Sequence, residues 1–485
     1  MRSFFLVRSN NGYCYGYNIV LQELFVFDPL TCHIIEQKMC GITLSPSEEI
    51  TVDGRKYNSA EIQRTLEYIN LLENRGVFQH YDFHGHISQK LTGEIVRESL
   101  YNTRQICFEV TEACNLSCSY CIYGDLYNHE VRAAKKMPLK MGITLIDFML
   151  SIWNKGQQLP AQKIISFYGG EPLMNIKFIK AIVAHVNNIV PGLGIDIQFD
   201  MTTNGTLLQE HIEFLVANDF SITISLDGDE NHNQHRVFNN TRRPSFKRVF
   251  DNIIYVKNTF PEYFEKNVKF NSVIHSKSDY LQVKAFFRKE LGKDTNISEL
   301  NPLISNAGAG IYRSVVDGVD YDAVIEQGDR LPDYQSKFKF LSLLTSCRYN
   351  RYSDILSEFT SRFPTGTCVP FNRRLFATVD GKIFPCETVP HNHPLGWLTE
   401  GSVDIDCDYI AEMYNRLFDK HIDQCKICYN YKSCPTCVFY EEIKQSKCNY
   451  FFSYDSFKKY LTRNIEFFEK HPSLISKLIN NVHNI

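Results

Sequence analysis

The chain has 485 residues, 44% of them hydrophobic and 22% charged, which is the composition of an ordinary globular protein with room for two or three domains. Lys and Arg total 52 against 55 Asp and Glu, a formal net charge of −3, so no basic excess favours a nucleic-acid partner. The first eight residues lack the apolar run of a signal peptide, and no window approaches 18 uninterrupted apolar residues. We therefore expect a cytoplasmic protein with no membrane partner.

Cysteine is the unusual component of the sequence. The 16 cysteines are about 3.3% of the chain, roughly twice the content of a typical cytosolic protein. A reducing compartment argues against disulfides, so ligation of a metal or cluster is the leading explanation. Ten cysteines fall into two groups. The other six are scattered and are expected to be buried small apolar residues: Cys14, Cys32, Cys40, Cys107, Cys347 and Cys407.

Residues 1–97 predict a small α+β module. Aromatic-rich runs at 3–7, 13–20 and 23–27 are typical of strands. Apolar residues in helical register predict a helix over 59–74.

Residues 98–310 alternate short β-rich runs with amphipathic helices. The predicted strands are 105–111, 163–168, 195–203, 221–226, 268–274 and 297–304, and the predicted helices are 143–153, 176–190, 207–218, 246–258 and 280–291. Six β/α repeats of this length predict a parallel sheet curled into a partial (β/α)6 TIM-like barrel within an α/β protein. Functional side chains are then expected at the carboxyl ends of the strands.

The rest of the chain lacks long periodicity until its end. Residues 311–365 predict a helical bridge and residues 451–485 a helical tail. Between them, residues 366–450 form a cysteine-rich domain with turns such as Asp380-Gly381, where bound metal is expected to replace a large core.

The first cysteine group follows the first barrel strand directly. Cys114, Cys118 and Cys121 are spaced Cys-x3-Cys-x2-Cys. Three thiolates on one short loop can hold three irons of a [4Fe-4S] cube and leave the fourth iron without a protein ligand. The alternative is a structural zinc ion, which usually takes four ligands from paired knuckles.

This spacing, with Tyr120 before the last cysteine, resembles the signature of the radical S-adenosylmethionine (SAM) superfamily. The resemblance implies SAM bound at a [4Fe-4S] cluster with an open iron, and cleavage of SAM to a 5′-deoxyadenosyl radical. After the second strand, Gly169-Gly170-Glu171-Pro172 resembles the GGE motif of that family. There the resemblance implies close backbone approach at the glycines and binding of the methionyl ammonium of SAM by Glu171.

The resemblance continues after the third and fourth strands. Asn204 lies in Thr202-Thr203-Asn204-Gly205, which resembles the family's polar strand end facing SAM, and Ser225-Leu226-Asp227-Gly228 precedes Arg236 as in its S-L-D-G…R pattern. The resemblance implies Ser225 and Asp227 near the ribose and Arg236 bidentate on the SAM carboxylate. A turn, a helix cap and a surface charge are the ordinary alternatives for these residues.

Seven further cysteines resemble, in their order, the SPASM extension of radical SAM enzymes: Cys368, Cys386, Cys425, Cys428, Cys434, Cys437 and Cys448. The resemblance implies two auxiliary [4Fe-4S] clusters, one on Cys425, Cys428, Cys434 and Cys448. The other would use Cys368, Cys386 and Cys437, with either Cys347 or a substrate thiolate as its fourth ligand. The family has three residues where this chain has only Pro435 and Thr436, and paired Cys-x2-Cys knuckles also suit zinc.

Glu387 follows Cys386, where some relatives place an acidic general base, so it is a candidate proton acceptor. Enzymes with this extension mostly modify peptides or proteins. The resemblance thus implies a peptide maturase that abstracts hydrogen from a ribosomally made precursor and forms a thioether or carbon–carbon cross-link. Residues 1–97 are expected to hold a leader peptide along a strand edge, and a flavodoxin or ferredoxin to supply low-potential electrons. The alternatives are an anaerobic sulfatase-maturing, formylglycine-forming enzyme and a zinc-stabilised peptide-binding protein without catalysis.

Overall fold

The structure is a computed structural model. It describes residues 2–21, 23–42, 49–80, 89–124, 132–153, 155, 162–191, 193–275, 278–298, 363, 365–431, 434, 436–441, 448 and 451–472. The predicted helical bridge and Cys347 therefore lie outside the described residues, as does the end of the predicted tail.

A small sheet opens the chain. Its three antiparallel strands pair in sequence order: β1 (Phe4–Arg8), β2 (Cys14–Asn18) and β3 (Glu23–Phe27). The rest of this module comprises α1 (Pro29–Met39), the hairpin β4 (Ile50–Val52) with β5 (Arg55–Tyr57), and α2 (Ser59–Asn74). Asn58 and Glu61 form a capping box that starts α2 at its predicted residue. The sequence did not indicate α1 or the hairpin.

Cys14 and Cys32 form a disulfide that links β2 to α1. The expectation that both are free, buried apolar residues was therefore wrong. Both side chains are indeed buried, but the fold brings two residues separated by 18 positions to bonding distance. Nothing in the local sequence of either cysteine indicates this pairing.

Residues 93–298 contain the predicted β/α alternation. The parallel strands are β6 (Gln105–Thr111), β7 (Gln162–Gly169), β8 (Asp196–Thr203), β9 (Ser221–Ser225), β10 (Val268–Val273) and β11 (Asn296–Ser298), which neighbour one another in that order. The helices are α3 (Gly93–Tyr101), α4 (Leu139–Trp153), α5 (Ile176–Ile189), α6 (Leu208–Ala217), α7 (Phe246–Thr259), α8 (Pro261–Asn267) and α9 (Tyr280–Phe286). The predicted α/β class with a partial barrel is confirmed.

The two faces of this sheet differ in polarity. Phe108 points outward, where its ring lies 5.8 Å from that of Phe178 on α5. Because side chains alternate along a strand, Cys107 and Glu109 point inward. We call the inner face of β6 to β8 the lumen, defined by Cys107, Glu109, Ser166, Tyr168 and Asp200. The interior of a packed barrel consists mostly of branched apolar residues. The polar side chains of this lumen therefore indicate a functional site and not a packed core.

The cysteine-rich region extends the same sheet. Its strands are β12 (Arg374–Ala377), β13 (Lys382–Phe384), β14 (Gly396–Leu398) and β15 (Val403–Asp404), and its helices are α10 (Cys407–Asp419), α11 (Ile422–Lys426) and α12 (Val438–Glu441). Strand β12 pairs in parallel with β6, so ten of the described strands form one sheet. Leu375 and Ile383 belong to the main hydrophobic core. The expectation that metal replaces a large core here was therefore wrong.

A last helix joins the two ends of the fold. Helix α13 (Tyr454–Lys470) packs Phe457 and Leu461 against Phe5 and Tyr17 of the first sheet. The four side chains are buried. The first module is therefore part of a core that it shares with the end of the described chain. Among the described residues, no helix combines the length and apolar character needed to cross a bilayer.

Candidate functional site

The loop that follows β6 carries three thiols that lie close together, those of Cys114, Cys118 and Cys121. Burial, together with the nearby Cys121 and Cys114 thiols and against the charge of Arg236, raises the pKa of Cys118 to about 12. Burial likewise raises the pKa of Cys114 to about 11. Thiolates ligate metal, so buried thiols this close together would give up their protons when a metal cluster binds.

A neighbouring segment holds the loop in place. Ser117 N donates to the Val237 carbonyl at 2.8 Å, and the Asn239 amide donates to the Cys114 carbonyl at 2.8 Å. The loop is therefore fixed by the residues that follow β9, which also carry Arg236.

Gly169 and Gly170 are pressed against the same loop. A Cβ at Gly170 would lie 2.2 Å from the Ala113 carbonyl oxygen, and one at Gly169 would lie 2.3 Å from that of Thr111. Gly169 also has a φ of +127°, which disfavours any other residue. Gly169 is thus pressed against the end of β6 and Gly170 against the start of the cysteine loop. Their predicted contact with a cofactor stays a prediction.

Glu171 is fully buried at the ends of β7 and β8. Its carboxylate accepts hydrogen bonds from Thr203 Oγ1 at 2.7 Å, Asn204 N at 2.7 Å and Leu173 N at 3.1 Å. Burial raises the pKa of Glu171 to about 7, against these hydrogen bonds, which lower it. The group therefore sits between its acid and carboxylate forms near neutral pH.

Asn204 connects the end of β8 to the cysteine loop. Its amide nitrogen donates to Asn115 Oδ1 at 2.9 Å and lies 3.8 Å from Cys114 Sγ. Its Oδ1 accepts from Thr206 N at 3.0 Å. Ser225, also predicted to lie near the ribose, is the half-buried last residue of β9. Sequence reasoning missed Asn115 and Thr206, which carry no motif of their own.

Arg236 and Asp227 are paired with each other. Arg236 donates from Nε to Asp227 Oδ2 and from Nη2 to Oδ1, both at 3.0 Å, and Tyr120 donates its hydroxyl to the same carboxylate. The remaining Arg236 Nη1 lies 4.0 Å from Cys118 Sγ. The structure thus brings three predicted residues together, but in a pairing that the sequence did not indicate. The fork of Arg236 that was expected on the SAM carboxylate is already occupied by Asp227.

A second buried ion pair lies in the lumen. Arg132 pairs with Glu109, and its guanidinium lies 3.6 Å from the centroid of the Tyr123 ring. Burial raises the pKa of Glu109, although Arg132 lowers it. Sequence reasoning missed this pair. The available signal was a charged residue in the middle of a buried strand.

Glu387 is also ion-paired. Its Oε2 lies 2.6 Å from Arg374 Nη1, and the two side chains are only 18% and 16% exposed. Arg374 stands on β12, beside Gln105 of β6 in the parallel register. The predicted role of Glu387 as proton acceptor stays a prediction, and Arg374 is a partner that sequence reasoning missed.

Three cysteines of the second group act electrostatically on the same side chain, Tyr414 of α10. Burial raises the pKa of the Tyr414 phenol well above its ordinary value, and the thiols of Cys437, Cys368 and Cys386 raise it further. Cys386 Sγ also lies 3.1 Å from the Thr388 hydroxyl. These are the three residues that the SPASM resemblance groups, and Cys347 lies outside the described chain.

The remaining four cysteines line one pocket, which is bordered by Phe363, Thr365, His421, Gln424, Cys425, Cys428, Tyr431, Cys434, Thr436, Cys448 and Phe451. Burial and the three other thiols together raise the pKa of Cys425 to about 12. Cys428 Sγ accepts from Phe452 N at 3.4 Å. The donor set, four thiols around one space, suits a [4Fe-4S] cube.

A single ion is a poorer match to this geometry. Zinc binds thiolates at about 2.3 Å, which demands tightly grouped ligands. Within the described ranges, no three His, Cys, Asp or Glu side chains are grouped to hold one metal ion.

Comparisons with known proteins agree with this site. Residues 108–287 match the family described as the Radical SAM superfamily. An uncharacterized protein of Methanocaldococcus jannaschii is 30% identical over 221 residues, which span 42% of this chain and 71% of that protein. The chain therefore belongs to the radical SAM superfamily and is an enzyme. Membership implies SAM and a [4Fe-4S] cluster as cofactors.

The relatives are more specific than the family. A cysteine-type anaerobic sulfatase-maturating enzyme of Clostridium novyi is 25% identical over 337 residues, 67% of this chain and 83% of that enzyme. The solved structure of native anSMEcpe with bound AdoMet matches with a TM-score of 0.52 at 20% identity, over 79% of this chain and 100% of that one. The same protein with AdoMet and the Cp18Cys peptide matches with a TM-score of 0.50 at 21% identity, over 79% and 99%. At these identities the structural likeness concerns the fold.

Proposed function

We propose that this enzyme is a peptide maturase that uses SAM to abstract hydrogen from a ribosomally made precursor and form a thioether or carbon–carbon cross-link. The observation that carries the proposal is the position of the polar lumen between two thiol groups. Tyr168 of the lumen is half-buried. Desolvation raises the pKa of its phenol, and the charges of Glu387, which follows Cys386, and of Cys121 act in the same direction. A substrate in the lumen would therefore lie between the first cysteine loop and Cys386.

The first site would hold the cofactors of the initial step. Cys114, Cys118 and Cys121 would ligate three irons, leaving one iron for SAM. When bound, the cluster and SAM supply a 5′-deoxyadenosyl radical. The buried carboxylate of Glu171 would accept the SAM ammonium, with Asn204 and Ser225 lining the same strand ends. Asp227 and Tyr120 would hold Arg236 beside Cys118.

Two auxiliary clusters complete the proposal. Cys425, Cys428, Cys434 and Cys448 would hold one. Cys368, Cys386 and Cys437 would hold the other, with Cys347 or a substrate thiolate as its fourth ligand. The convergence of the first set on one pocket and of the second on Tyr414 supports this division.

The first module would bind the leader of the precursor. Among the described strands, β3 is paired on one side only, and its Val26 is 66% exposed. Arg75, which ends α2, pairs with Glu23 at the start of β3, so α2 flanks that edge and presents Leu71, which is 57% exposed. The unpaired edge of a strand, beside an exposed apolar helix surface, suits an extended peptide.

Formylglycine formation in a sulfatase is the second candidate, because the chain covers 83% of a sulfatase-maturating relative. The anSMEcpe structure matches 79% of this chain and leaves about a fifth without a counterpart, so this chain has residues beyond that fold that could hold a leader peptide. The solved anSMEcpe complex with a cysteine peptide is compatible with either substrate.

The proposal is tested on anaerobically purified full-length protein, with low-potential electrons from a flavodoxin or ferredoxin of the cytoplasm. We expect roughly twelve irons per chain for three four-iron clusters, and 5′-deoxyadenosine formation from SAM. Colourless protein without iron would overturn the proposal.

The leader is tested on the strand edge. Deleting residues 1–97 would expose the core that Phe5 shares with α13 and could unfold the protein. The substitution Val26→Asp changes only the strand edge and is therefore the better test. Peptides encoded beside the gene are the probe. Loss of peptide binding with unchanged basal SAM cleavage would support the leader site, and modification of a leaderless sulfatase peptide would favour the second candidate.

A further inference from the structure

The strongest feature that the proposed function does not use is the ion pair of Arg374 and Glu387. It lies where β12 joins β6, and Glu387 directly follows Cys386. With a separation of 2.6 Å and side chains less than one-fifth exposed, the two charges are largely shielded from water. Charges in such surroundings act on their neighbours far more strongly than surface charges do.

The two charges act on Cys386 in opposite directions. Glu387 is the chain neighbour of Cys386, and Arg374 Nη1 lies 2.6 Å from the Glu387 carboxylate, so an anion and a cation both stand beside this ligand. An anion that destabilises a thiolate also disfavours adding an electron to a cluster bound there, and a cation favours it. Net charge and hydrogen bonds to sulfur are established controls of the potentials of iron–sulfur clusters.

Among the donors of Arg374 that the ion pair does not use, Nε stands out. It is buried and has no hydrogen-bond partner among the described residues, whereas Nη1 is taken by Glu387. Buried donors are nearly always paired in folded proteins. A cluster sulfur beside Cys386 is an acceptor of the kind that this donor lacks.

We propose that Arg374 and Glu387 together set the reduction potential of the cluster held by Cys368, Cys386 and Cys437. Arg374 acts through this cluster and is therefore a positioning residue, not a catalytic one. This inference rests on the proposed function, because it requires that cluster. It assigns Glu387 an electrostatic role in place of proton acceptor.

The test is an anaerobic redox titration monitored by electron paramagnetic resonance, in enzyme whose Cys114, Cys118 and Cys121 are replaced by Ala. We expect Arg374→Gln to lower the midpoint potential of this cluster and Glu387→Gln to raise it. Each substitution should change the ratio of reduced to oxidised cluster at a given potential at least tenfold. For a one-electron couple this is a midpoint shift of about 59 mV. The double variant should return toward the parent value, and the second auxiliary cluster should stay in place.

Two further variants control the result. Arg374→Lys keeps the charge and should stay near the parent potential. Arg288→Gln removes an arginine that pairs with Asp294 and is 61% exposed, so it should shift nothing. The inference is overturned if Arg374→Gln and Glu387→Gln shift the potential in the same direction, if neither exceeds Arg288→Gln, or if Arg374→Lys matches Arg374→Gln. If Arg374→Gln loses the cluster, the potentials of Glu387→Gln and Arg374→Lys still test the inference.

Failure of the underlying proposal looks different. Replacing Cys368, Cys386 and Cys437 together by Ala should remove about four irons. Unchanged iron content would show that no cluster is bound there, and the proposed function would fail with it. Loss of iron combined with unshifted potentials in the Arg374 and Glu387 variants would overturn only the inference.

Discussion

Arg236 donates two hydrogen bonds to Asp227, each at 3.0 Å, and the carboxylate they share is fully buried. The pair lies beside the first cysteine loop, since the third nitrogen of Arg236 is 4.0 Å from Cys118 Sγ. Neither residue can change its charge without leaving the other uncompensated in the interior.

Removing one charge of this pair should therefore cost stability and cofactor binding together. Arg236→Ala is expected to destabilise the fold by about 3–5 kcal/mol, the usual effect of isolating a buried charge, and to weaken SAM binding at least tenfold. Thermal unfolding and equilibrium dialysis measure the two effects. Arg288→Ala, at an exposed pair, is the control. Unchanged SAM affinity in Arg236→Ala would remove this residue from the site.

Replacing Cys114, Cys118 and Cys121 together by Ala should abolish 5′-deoxyadenosine formation. Iron content should fall from roughly twelve to roughly eight per chain, because the other thiols are remote in sequence and line different spaces. Iron analysis and chromatography of the nucleoside provide the measurements. Cys40→Ala, at an exposed free cysteine, should change neither. Persistent SAM cleavage in the triple variant would contradict the assignment.

SAM binding should weaken in acid because of Glu171. Burial raises its pKa to about 7, and only the carboxylate form attracts an ammonium. Below pH 7 the protonated fraction grows, so the Kd for SAM should rise about tenfold per pH unit, whereas above pH 7 it should level off. Calorimetry between pH 5.5 and about 8.5 measures the profile. Glu171→Gln should bind weakly with a flat profile, and an equally steep slope in that variant would exclude Glu171 as the cause.

Gly170→Ala should displace the cysteine loop. The added Cβ would lie 2.2 Å from the Ala113 carbonyl oxygen, a backbone atom that cannot turn aside. We expect loss of about four irons and of SAM cleavage. Gly401→Ala is matched to it, since nothing lies within 4 Å of its Cβ position. Full iron occupancy in Gly170→Ala would show that the loop can shift without losing its ligands.

The disulfide between Cys14 and Cys32 should be detectable as two thiols that alkylate in denaturant only after reduction. Its reduction should destabilise the first module by about 3 kcal/mol, the usual effect of a crosslink that closes a loop of about this length. Thiol counting by mass spectrometry and thermal unfolding with and without dithiothreitol measure both effects. Equal thiol counts before and after reduction would contradict the disulfide.

Local patterns accounted for much of the fold. Helix α2 has the predicted bounds, and β6 and β3 match residue for residue, because apolar periodicity and caps are local properties. The spacing of Cys114, Cys118 and Cys121 likewise predicted that their thiols lie together, since one loop supplies all three.

Long-range pairings were beyond these patterns. The parallel pairing of β12 with β6 joins Arg374 to Gln105 across most of the chain, and no periodicity in either segment encodes it. The Arg374–Glu387 and Arg132–Glu109 pairs went unnoticed for the same reason, because each depends on a strand order fixed by the whole sheet. The prediction that Cys14 and Cys32 are free was wrong because it rested on the redox state of the compartment, which says nothing about the distance between the two residues.

The packing of Phe5 and Tyr17 against Phe457 and Leu461 has a consequence for biosynthesis. The first strands leave the ribosome hundreds of residues before the helix that covers them, and translation adds about 5–20 residues per second. One apolar face of the nascent module must therefore remain uncovered for at least tens of seconds. Chaperone capture during that interval is the expected requirement for high yield in a heterologous host.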